Sequence, residues 1–122
     1  MKIHESAENY LETILILSRK NGAVRSIDIV NVLDYTKPSV SVAMKNLRSG
    51  GHVAVDSDGY ITLTESGREI AEMMYERHTL ISDWLMDLGV DKQTATEDAC
   101  RIEHVLSVES FEAMKNHIKN MK

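Results

Sequence analysis

Cysteine, proline and aromatic residues are scarce in this chain. Its 122 residues include one cysteine, one proline, one tryptophan, one phenylalanine and four tyrosines. A single cysteine, Cys100, excludes an internal disulfide, which fits a reducing cytoplasmic setting and leaves the thiol for packing or chemistry. So few rings make base stacking on an aromatic platform an unsuitable way to hold nucleic acid. No apolar run approaches the ~18 residues of a membrane span, so no membrane partner is expected. The start, Met1 to Glu5, is charged where a secretion signal would be basic and then apolar. What remains, 43% hydrophobic and 27% charged, is an ordinary globular composition and excludes disordered, collagenous and low-complexity classes.

A formal net charge of -5 argues against a nucleic-acid partner until its distribution is read. Residues 1–62 carry seven basic and seven acidic side chains, whereas residues 63–122 carry seven and twelve. Between Asp34 and Asp56 there is no acid, and Lys37, Lys45 and Arg48 fall in that window. The chain is acidic with a local basic patch.

The apolar period is helical over most of the length. Ala7, Tyr10, Leu11, Ile14 and Leu17 predict a helix over about 4–20 that ends before Asn21-Gly22. Ser26 is positioned to cap a short helix over 27–33. After a turn at Asp34-Tyr35-Thr36, Pro38 suits the first turn of a helix carrying Val40, Met44 and Leu47 as far as Gly50-Gly51. The period then becomes two, with Val53, Val55, Ile61 and Leu63 alternating around Asp58-Gly59, a hairpin signal. Thr64 is expected to cap a long helix to about Leu88, with Ile70, Met74, Ile81, Leu85 and Leu88 inward and Gly89 ending it. Asp91 caps a fifth helix with Ala95, Ala99, Ile102 and Leu106 on one face. A sixth, from about Val108, carries Phe111, Met114, Ile118 and Met121.

This order is mainly α. Two short helices across a tight turn, followed by a hairpin, predict a winged helix-turn-helix DNA-binding domain over 1–63 with a two-stranded wing, then a helical domain over 64–122. The segment 37–49 is the expected recognition helix. Lys37, Lys45 and Arg48 suit phosphates, while Thr36, Pro38, Ser39, Ser41 and Val42 offer hydroxyls and apolar contacts, including a thymine methyl contact for Val42. Few of these discriminate bases strongly, so double-stranded DNA is expected to be held largely through its backbone and shape.

Cys100, Glu103 and His104 stand at i, i+3 and i+4 of the fifth helix, beside its apolar stripe. A thiolate, a carboxylate and an imidazole are three metal ligands of graded softness. The same spacing also describes a packed thiol next to a solvated Glu-His pair. His78 lies on the inward stripe of the fourth helix, where a histidine can be a hydrogen-bonded core residue or, if the two helices pack antiparallel, a fourth ligand. On the first helix Asn9 and Glu12 share a face turned away from the apolar centre.

These residues carry a resemblance. Glu8-Asn9-Tyr10-Leu11-Glu12-Thr13-Ile14, Arg77-His78 and above all Asp98-Ala99-Cys100-Arg101-Ile102-Glu103-His104-Val105-Leu106-Ser107 resemble the diphtheria-toxin-repressor family of iron- and manganese-dependent transcriptional repressors, in the family's order and over nearly the whole chain. The resemblance implies a DNA-binding lobe followed by a helical dimerisation lobe, a homodimer on a palindromic operator, and repression of metal-uptake genes by a divalent metal. It implies Cys100, Glu103 and His104 as fifth-helix ligands, His78 as the fourth-helix histidine and Glu12 as the carboxylate that manganese-type members carry on helix one. Asn9 departs from the family, which has methionine there in iron types and aspartate in manganese types. Ser82 and Thr96 replace further ligands of some members, so a second metal site is expected to be incomplete. With the sequence running only through the sixth helix, the resemblance leads us to expect the short, two-domain manganese-type architecture and not the long one with a third domain.

Glu12, Glu103 and an Asn9 carbonyl are hard donors for Mn(II) or Fe(II), and the soft Cys100 tips the expectation to Fe(II) over Mn(II). Zn(II), Co(II) or Ni(II) would bind tightly in vitro. Two other function classes compete. A metal-independent winged-helix regulator would use the same DNA-binding domain, and a thiol or metal hydrolase would use Cys100 and His104. The second is disfavoured: no oxyanion donor lies near that pair in sequence, and no glycine-rich loop cradles a phosphate.

Overall fold

The computed structural model describes residues 5–121. His4, where the first helix is expected to begin, and the charged start before Glu5 lie outside the described residues. Those residues form six helices and one two-stranded sheet, ordered α1 (Glu5–Asn21), α2 (Ser26–Leu33), α3 (Lys37–Ser49), β1 (Val53–Val55), β2 (Ile61–Leu63), α4 (Glu65–Asp87), α5 (Lys92–Ile102) and α6 (Val108–Asn120). None of the helices is long and apolar enough to cross a membrane.

Two compact units divide between Met73 and Met74, inside α4. Ala71 belongs to the buried cluster of the first unit, which is why that unit takes in the opening turns of α4. The cluster is built from Leu11, Ile14 and Leu15 of α1, Ile29 of α2, Val40 and Met44 of α3, and Val53 and Ile61 of the strands. Each comes from an apolar position at helical or alternating spacing, so the pattern that predicts the elements also predicts the core.

The helix-turn-helix is set by its caps. Asp34 closes α2 in the left-handed region at φ 57°, a conformation that Asp tolerates better than most residues. Thr36 Oγ1 accepts the Ser39 amide at 3.3 Å, and Pro38 lies in the first turn of α3. Ser26 does not cap α2. Arg25 occupies that position, and its amide donates to the Asp28 carboxylate at 2.9 Å. A carboxylate three residues inside the helix has met the need that a Ser26 hydroxyl was expected to meet.

The wing pairs Val53 with Leu63, Ala54 with Thr62 and Val55 with Ile61, antiparallel. Its turn is held by Asp56 Oδ1, which accepts the amides of Asp58 and Tyr60, each at 2.9 Å. Thr64 Oγ1 accepts the Gly67 amide at 3.3 Å and donates to the Gly51 carbonyl at 2.6 Å, tying the start of α4 to the end of α3. At Gly67 the start of α4 passes close against His52, since a Cβ there would overlap the His52 carbonyl oxygen.

In the second unit Met74, Ile81, Ala95, Ala99, Phe111 and Ile118 are buried. Asp91 and Ser107 cap α5 and α6, and the hydrogen bonds from Thr94 hold the Asp91 carboxyl below the usual carboxylate range. Two residues expected on inward stripes, Leu88 and Met121, are instead exposed, because each falls just past the last turn of its helix. Gly67→Ala is expected to cost about 1–3 kcal/mol of stability by overpacking against the wing, measured as a lower urea midpoint with unchanged m. An unchanged midpoint would mean the wing has room to move.

Candidate metal centre and nucleic-acid interface

The solvent face of α3 is built by exclusion. Val40, Met44 and Leu47 are buried, which turns Lys37, Pro38, Ser39, Ser41, Val42, Lys45 and Arg48 outward, all of them exposed. Val42 is 59% exposed, so its methyl groups are open to a partner. No acid stands on this helix. Thr36 is exposed, but its hydroxyl is spent within the cap, donating to Ser39 Oγ at 2.8 Å as well as accepting the Ser39 amide. Asn46, which sequence reasoning passed over, lies one turn beyond Val42 with its side chain exposed. The signal was available, since position 46 follows Val42 by four residues.

In the second unit the expected ligands converge around Glu103. Its carboxylate is wholly buried, at 0% exposure. His78 Nδ1 lies 3.0 Å from Oε2. The other oxygen, Oε1, is buried without a hydrogen-bond partner and has His104 Nε2 3.4 Å away. The donor atoms offered by Cys100, Glu103 and His104 all lie within 4.8 Å of one another. The local structure differs from the expected continuous helix: α5 ends at Ile102, Glu103 is its C-cap, and His104 follows in a turn. The three side chains still converge, because Glu103 keeps helical backbone angles and its amide still donates to the Ala99 carbonyl at 3.0 Å.

The least satisfied atom of this donor set, Glu103 Oε1, shows what the site lacks. A buried carboxylate oxygen without a donor costs several kcal/mol unless something cationic or protic meets it. With a soft sulfur, a hard oxygen and imidazole nitrogens around it, a first-row divalent ion fits. Glu12 and Asn9 belong to α1 in the other unit. Glu12 is buried at 5% exposure, not the solvated flank that helical spacing alone allows, and Asn9 is half-buried, with its backbone carbonyl accepting the Thr13 hydroxyl at 2.8 Å. Ser82 is also buried.

Sequence reasoning missed Arg77. It is 3% exposed, and its Nη1 donates to the carbonyls of Glu103 at 2.9 Å and Leu106 at 2.7 Å. Only its place beside His78 hinted at a role.

Comparison with known proteins gives a consistent picture. Residues 2–61 match the family model described as iron dependent repressor, N-terminal DNA binding domain, and residues 64–122 match iron dependent repressor, metal binding and dimerisation domain. An HTH-type transcriptional regulator of Methanocaldococcus jannaschii is 34% identical over 120 residues, covering 97% of this chain and 96% of its own. The transcriptional regulator MntR of Escherichia coli is 31% identical over 111 residues, covering 91% of this chain and 72% of its own. Among solved structures, the manganese regulator SloR superposes with a TM-score of 0.82 at 27% identity, covering 98% of this chain. This chain spans 55% of the length of that structure.

His78→Ala would remove the imidazole that meets Glu103 Oε2 at 3.0 Å, leaving that buried oxygen without its partner. The expected loss is about 1–3 kcal/mol of metal-free stability, read from urea unfolding in the presence of a chelator. No change would mean that the carboxylate recruits another donor.

Proposed function

Because the chain belongs to the diphtheria-toxin-repressor family of metal-dependent transcriptional repressors, and carries both its DNA-binding and its metal-binding and dimerisation domains, we propose that it is a cytoplasmic sensor of Mn(II) or Fe(II) that controls metal-uptake genes. The observation that carries the reading is the buried, half-satisfied Glu103 carboxylate among Cys100, His104 and His78. Family membership makes it a regulator and not an enzyme, with double-stranded DNA and a second copy of the chain as partners.

His78, Cys100, Glu103 and His104 are proposed to hold the ion in the second unit; Glu12 and Asn9 are the α1 positions that the family resemblance implies as further ligands. The bound ion would supply positive charge to the buried carboxylate and thiolate, and so a free-energy gain that depends on their placement. The chain's own residues do the rest. Thr36 fixes the start of α3, Lys37, Lys45 and Arg48 take phosphates, and Pro38, Ser39, Ser41 and Val42 meet the groove, joined by Asn46, whose amide is suited to adenine. A two-fold dimer would set two such helices against a palindromic operator, about 34 Å apart.

The Fe(II) preference expected from Cys100 finds no support in the comparisons, where SloR is named a manganese regulator. The proposal is therefore Mn(II) or Fe(II) as a class, with Cys100 setting how strongly softer ions compete.

One anaerobic experiment tests both parts, using fluorescence anisotropy of DNA binding for wild type and Cys100→Asp with Mn(II), Fe(II), Co(II), Zn(II) or chelator. Metal should tighten wild-type binding by roughly 5- to 150-fold. Cys100→Asp should favour Mn(II) and weaken the response to Co(II) and Zn(II). Equal affinity with metal and chelator would leave a metal-independent winged-helix regulator. An unchanged metal ranking in the variant would make Cys100 a packed thiol.

A further inference from the structure

Two of the candidate ligands, Glu103 and His104, lie beyond the last helical residue of α5, in the short turn before Ser107 caps α6. A turn is held in place only by what its backbone groups bond to. The amides here are local, Glu103 to Ala99 at 3.0 Å and Val105 to Ile102 at 3.1 Å. Two of its carbonyls are not. Those of Glu103 and Leu106 both accept from one atom of α4, Arg77 Nη1, at 2.9 and 2.7 Å.

Burying this guanidinium is expensive. Arg77 is 3% exposed and its Nε has no hydrogen-bond partner. Phe111 of α6 offsets part of that, with its ring centroid 5.2 Å from the guanidinium carbon. An apolar side chain of similar volume would pack there at lower cost. What arginine adds is a donor that reaches both ends of the ligand-bearing turn from the residue next to His78.

Resting on the metal-centre reading above, we propose that Arg77 is a positioning residue for that centre: it touches no ion itself, but clamps the Glu103–Leu106 turn to α4 so that Glu103 and His104 face Cys100 and His78 before metal arrives. Residues that orient metal ligands typically change affinity 10- to 100-fold when removed. Here the orientation passes through two backbone carbonyls in place of a side-chain contact.

The test is a Co(II) titration of the metal-free full-length chain under anaerobic conditions, read by the thiolate-to-cobalt charge-transfer band and the visible ligand-field bands. Wild type, Arg77→Met, Arg77→Lys, Cys100→Ser and Ile118→Val are compared. Ile118→Val loosens the same unit from α6 without touching either carbonyl, which separates clamping from general stability. Arg77→Met is expected to weaken Co(II) binding about 10- to 100-fold and to shift the ligand-field bands. Arg77→Lys, which keeps the charge and one reach of donor, should recover part of both, and Ile118→Val should match wild type. Wild-type affinity and spectrum in both Arg77 variants would overturn the proposal, and so would an equal loss in Ile118→Val. If Arg77→Met does not fold, Arg77→Lys decides alone, a shifted spectrum supporting the clamp and a wild-type one refuting it. A wild type that develops no cobalt ligand-field bands at all would instead overturn the metal centre, and with it the role given to Arg77.

Discussion

A carboxylate with no access to water has to be compensated from within the protein, and the second unit is arranged around one, Glu103. His78 Nδ1 meets one oxygen at 3.0 Å, while Oε1 is left without a hydrogen bond and with His104 Nε2 at 3.4 Å. A site assembled only for stability would not leave that atom so, because an apolar residue in its place is usually neutral or better. The incomplete compensation makes sense if a cation completes it. Metal-free protein then carries a cost that metal removes, which is how binding at one place becomes a free-energy difference available elsewhere.

That cost is confined by the rest of the fold. The first unit has its own buried cluster and caps, so the recognition helix is formed whether or not the second unit holds an ion. Regulation of DNA affinity, in the account proposed, must then come from how two preformed recognition helices are presented and not from folding of the reader itself. The exposed side chains of α3, chiefly hydroxyl, apolar and cationic with the one amide of Asn46, suit a protein whose affinity rests on phosphates and shape.

Elements that depend on local chemistry were legible in the sequence. Thr36 and Pro38 announce α3, Asp91 announces α5, and Asp58-Gly59 between alternating apolar residues announces the wing, because each signal acts within four residues of its source. What escaped depends on partners distant in sequence or on choices between equivalent local solutions. Nothing near Arg77 says that it will be buried against carbonyls 26 and 29 positions away. Ser26 and Asp28 could each have served the start of α2, and the carboxylate does. Cys100, Glu103 and His104 were legible as a set, although the helix expected to carry all three stops at Ile102, and their convergence rests on a turn that spacing does not describe.

The central claim is that Glu103 and its neighbours form a metal centre, and the most direct measurement is a crystal structure of the protein loaded with Mn(II) or Zn(II), with the ion located by its anomalous scattering. The account predicts one peak at bonding distance, about 2.0–2.3 Å, from a Glu103 carboxylate oxygen and from Cys100 Sγ or His104 nitrogen. A peak elsewhere, with Glu103 Oε1 still unmet, would contradict it.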